Sequence, residues 1–148
     1  MDLYLVVGNS NTRRASVVRS LTGCFNRSQR DILPLGASKP LRVYARVGAL
    51  QETRTTAQDF IAEAGKTRCD AVLCCLSASP YPGGDSEYPD AQAYLLAFKA
   101  AGWRVRAVAV LGQNSGGIKS PHLRQFPQAT TAPINVTAQD VRTLFGWR

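Results

Sequence analysis

An α/β domain of three layers, a mostly parallel sheet with helices on both faces, is what this sequence predicts. Two patterns carry that expectation. Short apolar runs rich in β-branched residues alternate with segments of helical period. Glycines stand where the helical segments must stop. The length of 148 residues then sets the scale. It fits one domain over 1–148, since domains commonly hold about 100–200 residues, and it can bury a core without staples. A hydrophobic fraction of 45% with 19% charged residues excludes disorder of the whole chain.

The elements follow in order. Leu3–Val7 is a short apolar run ending at Gly8 and reads as a buried strand. Residues 13–22 put Val17, Val18 and Leu21 on one helical face, and Gly23 stops that helix. Leu41–Val47 alternates apolar and basic residues, as a strand with one wetter face would. Thr55 or Thr56 caps a helix running to Ala64, with Phe60 and Ile61 apolar and Gly65 behind. Ala71–Leu76 is a second buried strand. Asp90–Ala101 is a helix with Tyr94, Leu95 and Phe98 inward and Gly102 as its stop. Val105–Leu111 is a strand, Ile134–Val136 a short strand, and Ala138–Phe145 a last helix.

In such a fold the strands' carboxyl ends share one edge, and ligands bind there. The segments to inspect are therefore residues 8–14, 48–54, 77–89 and 112–133. Two are long. Residues 77–89 are rich in Pro, Gly and Ser, and 112–133 hold GQNSGG and three prolines. Loops of this length read as functional lids or as disorder, and both readings stay open.

The net charge of +8 is unevenly spread. Residues 1–46 carry +6, residues 47–102 carry −3 and residues 103–148 carry +5. Such an excess bears on solubility and on anions, not on fold. The four cysteines, Cys24, Cys69, Cys74 and Cys75, match no zinc spacing. Cys74 and Cys75 are expected to face opposite sides of a strand as packing thiols. No basic start followed by an apolar stretch opens the sequence, and no run approaches the roughly 18 apolar residues of a membrane span. A cytoplasmic protein with free thiols and no membrane partner is the expectation.

The most informative segment is Gly8-Asn9-Ser10-Asn11-Thr12-Arg13-Arg14-Ala15-Ser16, between a predicted strand and a predicted helix. It resembles the phosphate loop of the P-loop NTPases, G-x-x-x-x-G-K-[ST], and the β-α alternation is similar to that family as well. Gly8 matches the first glycine. Arg13 stands in place of the second, Arg14 in place of the lysine, and Ala15 in place of the Ser/Thr, with Ser16 next. The resemblance implies a P-loop NTPase-like fold and an anion held by backbone N–H groups at a helix start. The departures imply what is lost. Arg13 adds a side chain where the backbone should approach phosphate. Arg14 brings a fork instead of a point charge. Ala15 cannot bind Mg²⁺, and Ser16 points about 100° further round the helix.

Neither Leu41–Val47 nor Ala71–Leu76 ends in the acid that would orient a metal. Glu52, Asp85 and Glu87 lie in candidate loops away from strand tips. Magnesium-dependent hydrolysis is therefore not expected, and no metal ligands are assigned. Two arginines at a helix start oppose the helix dipole. Either an anion docks there or both side chains extend into water.

Other constellations are less specific. His122, the one histidine, reads as a surface residue with no nucleophile tied to it. Tyr81 and Tyr88 either stack on a base or partner, or pin their loop. Arg42 and Arg46 lie on one strand face, as do Arg104 and Arg106. They form either solvated rims or a basic patch.

The functional expectation is a divergent P-loop-type protein that binds a nucleotide or other phosphate-bearing anion without efficient hydrolysis. Its binding residues are Gly8, Asn9, Ser10, Asn11, Thr12, Arg13, Arg14 and Ser16. A nucleotide or phosphate is the one cofactor class considered. Two alternatives stay open: a non-catalytic adaptor with a protein partner, and a nucleic-acid binder using the basic surface.

Overall fold

The computed structural model describes residues 1–80 and 88–148. The expectation that 77–89 is one loop, with Tyr81, Asp85 and Glu87 in it, falls largely outside those residues. Among the described residues six strands form one sheet: β1 (Asp2–Val7), β2 (Arg27–Ile32), β3 (Leu41–Ala49), β4 (Ala71–Leu76), β5 (Arg104–Leu111) and β6 (Leu123–Phe126). Their order across the sheet is β2-β3-β4-β1-β5-β6. All neighbours are parallel except β2, which pairs antiparallel with β3.

The helices are α1 (Arg14–Thr22), α2 (Ala57–Gly65), α3 (Ala91–Ala100) and α4 (Ile134–Phe145). α1 and α4 cover one face, where Val17, Val18, Leu21, Val141 and Phe145 pack on Tyr4, Val6, Ala45, Leu73 and Cys75. α2 and α3 cover the other, where Phe60, Tyr94 and Phe98 pack on Leu3, Leu5, Val72 and Cys74. The pleat explains the split, since successive side chains along β1 and β4 point to opposite faces. From Leu3 to Val7 and from Ala71 to Leu76 the two central strands are therefore apolar, as a sheet covered on both sides requires. One aromatic cluster anchors each face: Tyr4, Phe145 and Trp147 on the first, Phe60, Phe98 and Trp103 on the second.

Local chemistry explains the helix ends. Thr56 caps α2 in a reciprocal box with Asp59, and Asp90 caps α3 through the Ala93 N–H. Gly23 and Gly146 close α1 and α4 in the left-handed conformation.

The structure corrects four expectations. β2 and β6 were not anticipated. β2 (RSQRDI) is a charged edge strand with no apolar alternation, and β6 lies inside the segment 112–133 read as loop. Ile134–Val136 is not a strand, because α4 already begins at Ile134 after Pro133. β3 is not an edge, because β2 covers it, and Arg46 is 9% exposed, held by Glu63, Thr53 and Thr55. Arg42 stays exposed, so the two arginines form neither a shared rim nor a shared patch. In β5, Leu3 pairs with Val105 and Tyr4 with Ala107, so Arg106 is the extra residue of a bulge. That bulge breaks the alternation on which the pairing of Arg104 with Arg106 rested. No helix among the described residues is long and apolar enough to cross a membrane.

Candidate functional site

β1 and β4 are parallel neighbours whose chains leave in opposite directions. β1 runs into α1 on one face, and β4 leads to α3 on the other. Such a reversal opens a crevice at the carboxyl ends of the two strands. The turn 8–14 stands at that point, as the strand-turn-helix pattern predicts.

The turn is closed on itself. Residues Ser10–Thr12 form a 3-10 turn, with the Thr12 N–H and Oγ1 both donating to Asn9 C=O. A Cβ on Gly8 would lie 2.5 Å from Thr12 Oγ1, so the space beside the first glycine is filled by Thr12. Arg13 holds φ +59°, a left-handed conformation rare for a side chain of this size, and serves as N-cap of α1.

Both arginines turn inward, not into water. Arg13 donates from Nε and Nη2 to Ala129 C=O, and from Nη2 to Ala132 C=O, tying the turn to the chain before α4. Arg14 is 4% exposed. Its Nη1 donates to Gly8 C=O, and its Nη2 donates to Glu52 Oε2 at 2.7 Å. Its Nε is buried with no partner among the described residues. Glu52 follows β3, and its side chain is 41% exposed. Its Oε1 accepts from Ser77 Oγ at 3.4 Å. The pair thus locks the turn after β1 to those after β3 and β4. Ser10, Asn11 and Ser16 are exposed, while Gly8 and Thr12 are buried.

Asn9 ties the turn to the chain after β4. Its Oδ1 accepts the backbone N–H of Ala78 at 3.1 Å and of Ser79 at 3.4 Å. Gln51 braces the same region, donating to Ser77 C=O and accepting from Ser77 N–H. The turn after β5 closes the cluster. A Cβ on Gly116 would sit 2.6 Å from Ala78 C=O, and its φ of +64° suits glycine. The Gly116 N–H in turn donates to Asn114 Oδ1 at 3.0 Å.

Two crevices flank Asn9. One, of about 220 Å³, lies toward β4 and is lined by Ser10, Gln51, Glu52, Ser77 and Ser79. The other, of about 360 Å³, lies toward β5 and is lined by Asn11, Thr12, Gln113, Asn114 and Thr130. The first carries a carboxylate. The second is lined by carboxamides and hydroxyls, with Leu111 and Pro127 as apolar walls.

Burial dominates the ionisable groups beneath the site. It pushes the Cys75 thiol up to about 12; the Arg14 charge opposes the shift and Glu52 adds to it. Cys74, on the opposite face, is also pushed up by burial. Both are packing thiols, since a thiol is reactive only as thiolate. His122 is exposed, and its C=O accepts from Val108 N–H. Tyr88 lines a separate cleft between α2 and α3, with Asp59 and Tyr94.

The sequence places the turn between a strand and a helix, as the structure does, but does not show the partners of its arginines. In the sequence Glu52 reads only as a loop acid, and Asn114 does not read as part of a site. One signal for Asn114 was present: two carboxamides, Gln113 and Asn114, directly after a predicted strand. No protein-family model, curated protein or solved structure matches the chain.

Proposed function

We propose that this chain is a divergent P-loop-type protein that binds a nucleotide or other phosphate-bearing anion at the turn after β1, without efficient hydrolysis. One observation carries the reading. The turn sits at the reversal point of a parallel sheet and is held in a single shape by Arg13 and Arg14 from behind. The exposed front of the turn, Ser10 and Asn11, together with Asn9, is what a ligand meets. A turn pre-shaped in this way loses little entropy on binding. The positive field of the chain favours anions.

Hydrolysis is disfavoured on the same geometry. Arg14 is internal and paired, so it offers no cation to a terminal phosphate. Ala15 has no hydroxyl for Mg²⁺. Ser16 lies exposed on the helix, and Glu52, the acid beside the turn, is held by Arg14. Isothermal titration with ATP, GTP and pyrophosphate, with and without Mg²⁺, tests this reading. Heat of binding for at least pyrophosphate, little changed by Mg²⁺, with no release of phosphate from either nucleotide, is the expected result. Absence of heat for all three, at low salt, overturns it.

A second reading has its own observation. Phe25 and Leu35 are 72% and 61% exposed, just before and just after the edge strand β2. A sheet edge that is unpaired among the described residues and flanked by exposed apolar side chains suits a protein partner. In an adaptor of that kind, Phe25→Ser with Leu35→Ser would abolish partner capture and leave anion binding unchanged.

A further inference from the structure

We infer that the anion's oxygens are held by two oriented carboxamides, Asn9 and Asn114, in the crevice between the carboxyl ends of β1 and β5. The inference deepens the proposed function and rests on it. It begins with a conflict of charge. The crevice toward β4 carries the Glu52 carboxylate, 41% exposed, which repels an oxyanion. Among the described residues, the crevice toward β5 is lined by no charged side chain. An anion entering at Asn9 is therefore directed toward β5.

The carboxamides there have a fixed sense. A backbone N–H can donate only to the oxygen of an asparagine, never to its nitrogen. Asn9 Oδ1 receives two such donors, from Ala78 and Ser79, and Asn114 Oδ1 receives one, from Gly116. Each amide is thereby turned so that its Nδ2–H₂ has no protein partner among the described residues. Both residues line the same crevice of about 360 Å³. They are also mechanically joined. Ala78 N–H bonds Asn9, Ala78 C=O packs against Gly116, and Gly116 N–H bonds Asn114.

The result is a pair of donor groups, Asn9 half-buried and Asn114 exposed, oriented through their oxygens before the ligand arrives. Fixed neutral donors stabilise an oxyanion without reorganisation, as backbone N–H groups do in other anion sites. They replace the cation that Arg14, turned inward, does not supply. The ligand class follows: a phosphate-type oxyanion, since the two Nδ2–H₂ groups can only donate.

Asparagine-to-aspartate substitution separates binding from folding. Asn9→Asp and Asn114→Asp each keep an oxygen for the backbone N–H groups and exchange the donor for a second oxygen. Pyrophosphate is the probe, followed by calorimetry and by the side-chain NH₂ signals in ¹⁵N spectra. Thr130→Asp adds the same charge to the crevice without touching an oriented amide. The expected result is that Asn9→Asp and Asn114→Asp melt as the wild type does. Each raises the pyrophosphate Kd about tenfold or more, the loss of a hydrogen bond to a charged group. Thr130→Asp raises it less, and the NH₂ signals of Asn9 and Asn114 move on titration. Three results overturn the inference. If wild type binds pyrophosphate and Asn114→Asp binds it equally well, this inference falls while the proposed function stands. If Thr130→Asp weakens binding as much as Asn114→Asp, charge alone accounts for the effect and the oriented donors fall. If wild type binds no pyrophosphate, this inference falls, and the proposed function falls with it only where ATP and GTP give no heat either.

Discussion

At the residue scale, two of the arginines, Arg14 and Arg46, have an address inside the protein. Arg14 pairs with Glu52, and Arg46 with Glu63. Arg46 is the better probe of what such a pair is worth, because it stands apart from the turn. Its Nη1 contacts both Glu63 oxygens at 3.3 Å, its Nη2 reaches Thr53 and Thr55, and it packs over Phe60. Tyr44 Oη donates to the same Glu63 at 2.5 Å. Removing the guanidinium leaves Glu63 with Tyr44 and with the exposed Arg27, 3.7 Å away. Breaking a buried pair costs about 3–5 kcal/mol, and Glu63, still partly exposed, puts Arg46→Ala near the lower end. Urea denaturation measures it. A loss below about 1 kcal/mol, the value of a surface pair, would mean that Arg46 is not the brace between β3 and α2. None of this was visible in the sequence. Arg42 and Arg46 look alike at their spacing, and only the position of β2 and α2 makes one exposed and the other buried.

At the element scale, the strands that were legible are those whose side chains face two layers of helix. β1, β4 and most of β5 read as apolar runs because burial on both faces leaves no other choice. β2 carries five polar residues in six, and β6 is four residues long, so neither has a period to detect. Their pairing comes from neighbours, β3 and β5, not from local pattern. The start of α4 was placed late because Ile134–Val136 is β-branched and follows a proline, and tertiary packing on α1 overrides that preference. The turn after β1 was located but not its shape. The 3-10 turn depends on Thr12 filling the space at Gly8, a contact that no motif encodes. That contact is testable. Gly8 has an ordinary φ, so alanine is strained there only by contact with Thr12 Oγ1 at 2.5 Å and Leu111 Cβ at 3.2 Å. Overpacking of this kind costs about 1–3 kcal/mol. In the Thr12→Ala background the first contact is gone, so Gly8→Ala should cost clearly less there. A double-mutant cycle by urea denaturation checks it, and strictly additive effects would mean that Thr12 does not close the turn.

At the scale of the whole molecule, the sheet buries its thiols so completely that they report on folding. Cys74 and Cys75 are fully buried, one on each face, and burial raises both, Cys75 to about 12 from 9.0. Tyr44 is likewise raised from 10.0 to about 12, by burial first and then by its bond to Glu63. In each case the folded protein holds a proton that the unfolded chain releases at lower pH. The stability these groups contribute is therefore fully present below about pH 9 and is lost as pH rises toward 12. Between pH 9 and 10 the thiols lead, because the unfolded tyrosines still hold most of their protons. The slope there is up to about 1.4 kcal/mol per pH unit for each thiol that remains protonated in the fold. Urea denaturation under reducing conditions at pH 7, 8, 9, 9.5 and 10 should show this loss setting in as the unfolded thiols ionise, and steepening toward pH 10. Cys75→Ala removes one of the two thiols. It lowers stability at pH 7 by leaving a small cavity, but its alkaline slope should be shallower than that of the wild type. An unchanged slope would mean that Cys75 ionises inside the fold, and that the sheet beneath the site is open to water where it is drawn as sealed.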